Sequence, residues 1–313
     1  MHPPITIALA TYNGSQFLHQ QLDSIAAQTD GGWNLLVSDD GSTDGTRDIL
    51  AKFQATQPDH RLRLIEGPRK GATQNFLHLV TQADPDGWFA FCDQDDVWRP
   101  EKLALAARFL QGRTGPAVYA ARTTICDESL NVLTPAPHYA RGLQFRNAVI
   151  QACMPGNTIV ANAAALRLMQ KAAPHAAAAD VVSHDWWTYQ LMSAVGAQIT
   201  RDAAQVLFYR QHTGNLMGRN DTSQARAARL SMLFDGTFAG WIGQNQRALA
   251  PMSDLMTPMN RALFTRFDKA IHAPGAATAA SFLRMGLYRQ TRAGTAAIMA
   301  AALAGKLRQP PRS

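Results

Sequence analysis

The chain has 313 residues, 46% of them hydrophobic, enough for one large domain or a domain with a smaller appendage. No run of 18 apolar residues occurs, the start lacks the basic segment and cleavage site of a secretory signal, and the three cysteines, Cys92, Cys126 and Cys153, are scattered. These features argue against a membrane-spanning or disulfide-stapled protein and lead us to expect a cytoplasmic one. The net charge of +7 is uneven: residues 222–313 hold 12 Lys/Arg against 3 Asp/Glu, and the first 221 hold 18 against 20. The basic character sits in the tail, where it reads either as a solvated helical face or as a surface for an anionic partner.

Short apolar runs alternate with helical patterns through the first 125 residues. "ITIALA" reads as a buried strand. "SQFLHQQLDSIAAQ" reads as a helix capped by Ser15, with Phe17, Leu18, Leu22, Ile25 and Ala26 on one face. "WNLLVS", "RLRLIEG" and "WFAFC" follow as strands, "DGTRDILAKFQ", "GATQNFLHLVTQ" and "RPEKLALAARFL" as helices, and "AVYAAR" as a fifth strand. This alternation predicts a mostly parallel sheet with helices on both faces. Beyond Gly142 the pattern loosens. It holds a turn at Pro155-Gly156, a helix capped by Asn162, a helix from Ser183 and a strand in "AQVLFYRQHTGN". From Thr222 an Ala/Arg-rich helical region is expected, broken at Gly236, Gly240, Pro251 and Pro274. The expected division is therefore 1–221 and 222–313.

Open α/β sheets bind ligands at the carboxyl ends of their strands. Three polar clusters, "TYNGS", "SDDGSTDGT" and "DQDD", each directly follow an apolar strand and should open onto one edge. In an extended loop Asp93 and Asp95 point the same way while Asp96 turns aside. Two converging carboxylates repel unless a proton or cation lies between them, and Mg²⁺ or Mn²⁺ is commonly held by one or two carboxylates plus substrate phosphates. Taken alone, the acidic triplet reads equally as a solvated loop capping the next helix. Asp39 and Asp40 end the second strand, where a carboxylate can accept from a ribose or a base N–H. Tyr12 could stack on a base or serve as core. Neither a G-x-G-x-x-G nor a G-x-x-x-x-G-K-[ST] motif is present, which argues against a dinucleotide fingerprint and a P-loop.

"ITIALATYNGSQFLHQQLDSIAAQT", "LLVSDDGSTDGT" and "FAFCDQDDVWRPEKL", in this order, resemble the nucleotide-sugar-binding half of family 2 glycosyltransferases. "AVIQACMPGNTIVAN", "SHDWWTYQLM" and "YRQHTGNLMG" resemble the later segments of its bacterial rhamnosyltransferase-like subgroup, so that the likeness covers roughly residues 4–220. It implies a GT-A fold, here with a C-terminal helical extension, and an inverting, metal-dependent transferase. It implies that Thr11, Tyr12 and Asp40 hold the nucleoside with Ala10 nearby, and that Asn13, Gln94 and Arg210 also serve the donor. Asp93 would face the ribose or metal-bound diphosphate, Asp95 would be the main ligand of Mn²⁺ or Mg²⁺, and His212 a further metal or diphosphate contact. Asp185 would be the catalytic base, with Gly156 and Asn157 on the acceptor side. From their own chemistry His184, Trp186 and Trp187 are further candidates there, the tryptophans reading either as a sugar-stacking wall or as core. "MPGNT" departs from the commoner Gly-Gly-Asn-Thr, and "ATYN" from the usual Pro before Thr.

The donor expected from the resemblance is dTDP-L-rhamnose, with UDP-hexose or UDP-N-acetylhexosamine as alternatives. The acceptor is expected to be a surface polysaccharide or a lipid-linked saccharide, and no nucleic acid is expected as a partner. A non-catalytic nucleotide- or carbohydrate-binding scaffold is the alternative of another class. The apolar run "AGTAAIMAAALAG" is too short to span a bilayer, but with its flanking arginines it could lie peripherally on an anionic membrane surface, at the inner face of the plasma membrane.

Overall fold

The computed structural model describes residues 2–58, 61–212 and 223–310. In chain order its elements are β1 (Ile5–Thr11), α1 (Leu18–Ala26), β2 (Trp33–Asp39), α2 (Thr46–Ala55), β3 (Leu62–Glu66), α3 (Ala72–Gln82), β4 (Trp88–Cys92), β5 (Val97–Trp98), α4 (Lys102–Leu110), β6 (Ala117–Cys126), β7 (Val132–Pro135) and α5 (Phe145–Ala148). After a 3₁₀ turn at Gly156–Thr158 come β8 (Val160–Ala161), α6 (Ala163–Ala178), α7 (His184–Ala194) and β9 (Gln198–Arg210). The tail holds α8 (Ser223–Phe234), α9 (Thr237–Leu249), α10 (Pro258–His272), α11 (Gly275–Arg284) and α12 (Arg292–Leu303).

One sheet runs β3-β2-β1-β4-β8-β6-β9-β5, with β7 paired to β6. β3, β2, β1 and β4 are mutually parallel. β8 is antiparallel to both β4 and β6, and β9 runs parallel to β6. Two antiparallel steps restore the direction, so β6 and β9 end at the same edge as β1, β2 and β4. The central strands are apolar because both faces are covered: every residue of β1 and β4 is buried. β3 is an edge strand, and Leu64 there is exposed.

Several local expectations change. Ser15 does not cap α1, which begins at Leu18 without a side-chain cap; the Ser15 N–H instead donates to Asp44 Oδ2 at 3.0 Å. Ala26 is exposed, and the buried face of α1 includes Gln21 and Ser24. Asn162 does cap α6, accepting from the Ala165 N–H at 3.0 Å. Gly236 precedes α9 and Pro274 precedes α11, but Gly240 lies inside α9.

The described residues fall into two compact units. The first comprises the described parts of Met1–His138, Met154–Pro174 and Ala197–Leu216, and contains the sheet. The second comprises those of Tyr139–Cys153, His175–Gly196 and Met217–Ser313. Its boundaries differ from the expected cut at 221, a position outside the described residues. The reason is α7, which is buried on every side from Trp186 to Ala194 and so needs helical cover. Trp186 stacks on Phe238 at 5.5 Å, Asn260 donates to the carbonyls of Ser193 and Ala194, and Asn147 donates to that of Tyr288. No described helix is long and apolar enough to cross a membrane.

Candidate functional site

The loops following β1, β2 and β4 are stitched together at the sheet edge of the first unit. Thr11 Oγ1 donates to Asp39 Oδ1 at 3.0 Å, and the Asp40 N–H donates to the Thr11 carbonyl at 2.8 Å. Asn13, with a positive φ of 46°, accepts on Oδ1 from the Thr43 N–H and donates its own N–H to Ser42 Oγ, each at 2.9 Å. Gln94 spans to the first loop: its Oε1 accepts from the Tyr12 N–H at 2.9 Å and its Nε2 donates to the Tyr12 carbonyl at 3.0 Å. Gly14 leaves room for that amide, since a Cβ there would collide with Gln94. Tyr12 is thereby held at the surface, 58% exposed, and is not a core residue.

The two adjacent aspartates divide the work. Asp39 is fully buried, pairs with Arg47 at 2.8 Å and accepts from Ser42 and Thr11. Burial alone would raise its pKa, but the hydrogen bonds from Ser42 and Arg47 hold it below the usual value. Asp40 faces the β3–α3 loop and accepts from the Arg69 N–H at 2.6 Å and the Gly71 N–H at 2.8 Å. Gly67 brings that loop close, since a Cβ would lie 2.8 Å from Asp40 Cα. The Thr11 hydroxyl is committed to Asp39, its carbonyl accepts from Asp40, and the residue is 1% exposed, so it shapes the loop from within rather than facing a ligand.

The β4 loop sends its carboxylates two ways, as residue spacing predicts. Asp93 and Asp95 are partly exposed, whereas Asp96 is fully buried. Asp95 Oδ2 lies 2.9 Å from His212 Nε2, a pairing of residues 117 positions apart that the parallel return of β9 makes possible. The His212 ring packs tilted on Phe17 with centroids 4.8 Å apart. The part-exposed Asp95 carboxylate suits Mn²⁺ or Mg²⁺ when substrate phosphates complete the shell, and the part-exposed His212 imidazole could add a nitrogen ligand, a softer donor than Mg²⁺ prefers. No group of three or more His, Cys, Asp or Glu side chains that could hold a metal ion occurs among the described residues.

Other expected site residues have inward roles. Arg210 is only 2% exposed. Its Nε donates to the Asp95 carbonyl at 2.9 Å, its remaining nitrogens bond the Glu128 carbonyl and Gln20, and its guanidinium lies 4.5 Å from the Phe17 ring centroid. It braces the site from beneath rather than facing a donor. Asn157 is 4% exposed and donates to Asp96 Oδ2 at 2.6 Å, so it does not line an acceptor surface. Gly156 opens the 3₁₀ turn that carries it. Ala10 pairs with Ser38 within the sheet. In "YRQHTGNLMG" the residues after His212 lie outside the described ones.

In the second unit, Asp185 lies in the first turn of α7, where the helix dipole favours a carboxylate, and it accepts from the Trp186 N–H at 2.6 Å. Trp186 and Trp187 are 3% and 0% exposed, and Trp186 Nε1 donates to the Ala148 carbonyl at 2.7 Å. Both tryptophans are core, so neither forms the expected sugar-stacking wall. Burial lowers the His184 pKa to about 4 against the opposing pull of Asp185, so the imidazole is neutral at pH 7.

Sequence reasoning missed Lys102. It is fully buried, donates to the Asn157 carbonyl at 2.6 Å, and has its pKa lowered to about 7 by burial. Burial and the neighbouring Asp95 and Asp93 push Asp96 well above the carboxylate range, while Asn157 and Lys102 pull it back. In the sequence, a lysine two residues after a proline gives no sign that it turns inward.

Residues 6–169 match the model of the family described as glycosyl transferase family 2. The dTDP-rhamnosyl transferase RfbG of Shigella flexneri is 29% identical over 256 residues, 77% of this chain and 84% of that protein. Among solved structures, TarS 1-349 of S. aureus in complex with UDP-GlcNAc superposes with a TM-score of 0.56 at 14% identity, covering 97% of this chain and 90% of that one. The mannosyltransferase PcManGT of Pyrobaculum calidifontis, in complex with GDP-Man and Mn²⁺, gives 0.52 at 19% identity over 97% and 86%. The stitched loops at the strand ends, the acidic turn after β4 and the family match over more than half the chain lead to one conclusion: this protein belongs to glycosyl transferase family 2 and has the GT-A fold.

Proposed function

We propose that this chain is an inverting, metal-dependent glycosyltransferase that moves L-rhamnose from dTDP-L-rhamnose to a hydroxyl of a surface-polysaccharide or lipid-linked acceptor. The observation that carries the reading is the Asp95–His212 pair, set beside the loops after β1 and β2 at the carboxyl edge of the sheet. The similarity to RfbG supports the rhamnosyl donor. In this reading Tyr12 stacks on the base. Asp40 accepts from a base N–H, since each of its oxygens has a lone pair beyond those taken by Arg69 and Gly71. Asp95 and His212 hold the divalent cation and Asp93 faces the ribose or diphosphate. The cation, when bound, supplies the charge that stabilises the leaving diphosphate.

Asp185 takes the proton from the acceptor hydroxyl. A buried neutral imidazole beside it, His184, adds no positive charge that would weaken this base. Asp185→Asn tests the assignment. Calorimetric titration should show dTDP-sugar binding retained, while transfer to acceptor falls by roughly 10²- to 10⁴-fold. Transfer at near-native rate would remove Asp185 from the role of base. A scaffold without catalysis would show no transfer in the parent protein either.

A further inference from the structure

The mechanism above leaves Asp96 without a task, although it is fully buried beneath the proposed metal loop. Its Oδ2 accepts from Asn157 Nδ2 at 2.6 Å and its Oδ1 from the Arg210 backbone N–H at 3.4 Å. Lys102, also fully buried, donates to the Asn157 carbonyl at 2.6 Å and lies over the Trp98 ring. The Arg210 side chain returns to the Asp95 carbonyl at 2.9 Å. Asp96 thus ties the β4 loop to the Gly156–Thr158 turn and to the end of β9. Two residues beyond that tie comes His212, whose ring meets Asp95.

We infer that Asp96 and Asn157 form a positioning pair that sets the approach of His212 to Asp95 and through it the affinity of the site for a divalent cation. The inference rests on the donor-site reading above. Neither residue touches substrate; both act through the strand end and the loop they hold. The hydrogen-bond polarity makes the pair testable by exchange. Asp96 accepts from two N–H groups, and an amide in its place must turn its NH₂ toward one of them whichever way it rotates. An aspartate at 157 would set two buried carboxyl groups against each other and remove the amide N–H that Asp96 accepts from. The double exchange, Asp96→Asn with Asn157→Asp, restores a donor facing an acceptor and leaves the number of buried carboxylates unchanged.

The experiment is a Mn²⁺ titration followed by electron paramagnetic resonance in the presence of dTDP, with melting temperatures recorded alongside. Each single exchange should weaken Mn²⁺ binding by roughly 10- to 100-fold, the range found when groups that orient metal ligands are removed. The double exchange should recover most of the loss. Asn157→Ser, which keeps the carbonyl for Lys102 and removes only the amide, should weaken binding in the same direction and serves if a single exchange does not fold. Folded Asp96→Asn or Asn157→Ser protein that binds Mn²⁺ as tightly as the parent would overturn the inference, as would a folded double exchange no better than the singles. Absence of Mn²⁺ binding by the parent protein with dTDP would instead overturn the donor-site reading, and the inference with it.

Discussion

Asp39 and Asp40 are chemically identical neighbours with different tasks. Asp39 closes β2 and its side chain joins Thr11, Ser42 and Arg47 in the interior, while Asp40, one residue on, turns to the Gly67–Gly71 loop. The period of two in a strand makes this division. Periodicity also gave the correct split of Asp93 and Asp95 from Asp96. Arg210 and Asn157 were not legible in the same way. A cation at a strand end and an amide in a Pro-Gly turn look ligand-facing in sequence, and only the spatial position of Gln20, Glu128 and Asp96 turns both inward. Such partners, 61 to 190 positions away, leave no local signature.

The α/β elements were legible because strand and helix periods differ, and because each buried strand is an unbroken apolar run. The second unit was less so. α7 mixes polar Thr188, Gln190 and Ser193 with its apolar residues and shows no apolar stripe in sequence, so its two tryptophans look as suited to a sugar surface as to a core, yet every side from Trp186 to Ala194 is buried. Gly240 was read as a break, yet α9 passes through it, because a glycine weakens a helix by only about 1 kcal/mol and the flanking Phe238 and Ile242 are buried. A Cβ at Gly240 would meet nothing within 4 Å. Gly240→Ala should therefore stabilise the protein by about 0.5–1 kcal/mol, seen as a higher urea midpoint at unchanged slope. A lower midpoint would mean that the glycine serves a contact.

At the scale of the whole molecule, the excess of basic residues and most of the large exposed hydrophobic residues belong to the same unit. Six of the ten large exposed hydrophobic residues among those described, Leu230, Phe234, Leu255, Met259, Leu283 and Leu303, belong to the basic second unit. We propose that this unit rests on an anionic membrane surface. Truncating the tail would be a poor test, because Phe282, Ile298 and Leu307 are buried and their removal exposes core. Leu283→Ser with Leu303→Ser should instead reduce salt-sensitive sedimentation with phosphatidylglycerol vesicles and leave the melting temperature near that of the parent. Equal sedimentation at low salt would end the proposal.

The account as a whole depends on the acids after β4 meeting a dication that carries a nucleoside diphosphate. Anomalous diffraction at the manganese edge, from crystals grown with Mn²⁺ and dTDP, addresses this directly. The account predicts one peak within bonding distance of Asp95 and of a diphosphate oxygen, with the base against Tyr12. Manganese elsewhere, or a nucleotide bound away from the strand ends with Asp95 still on His212, would contradict it.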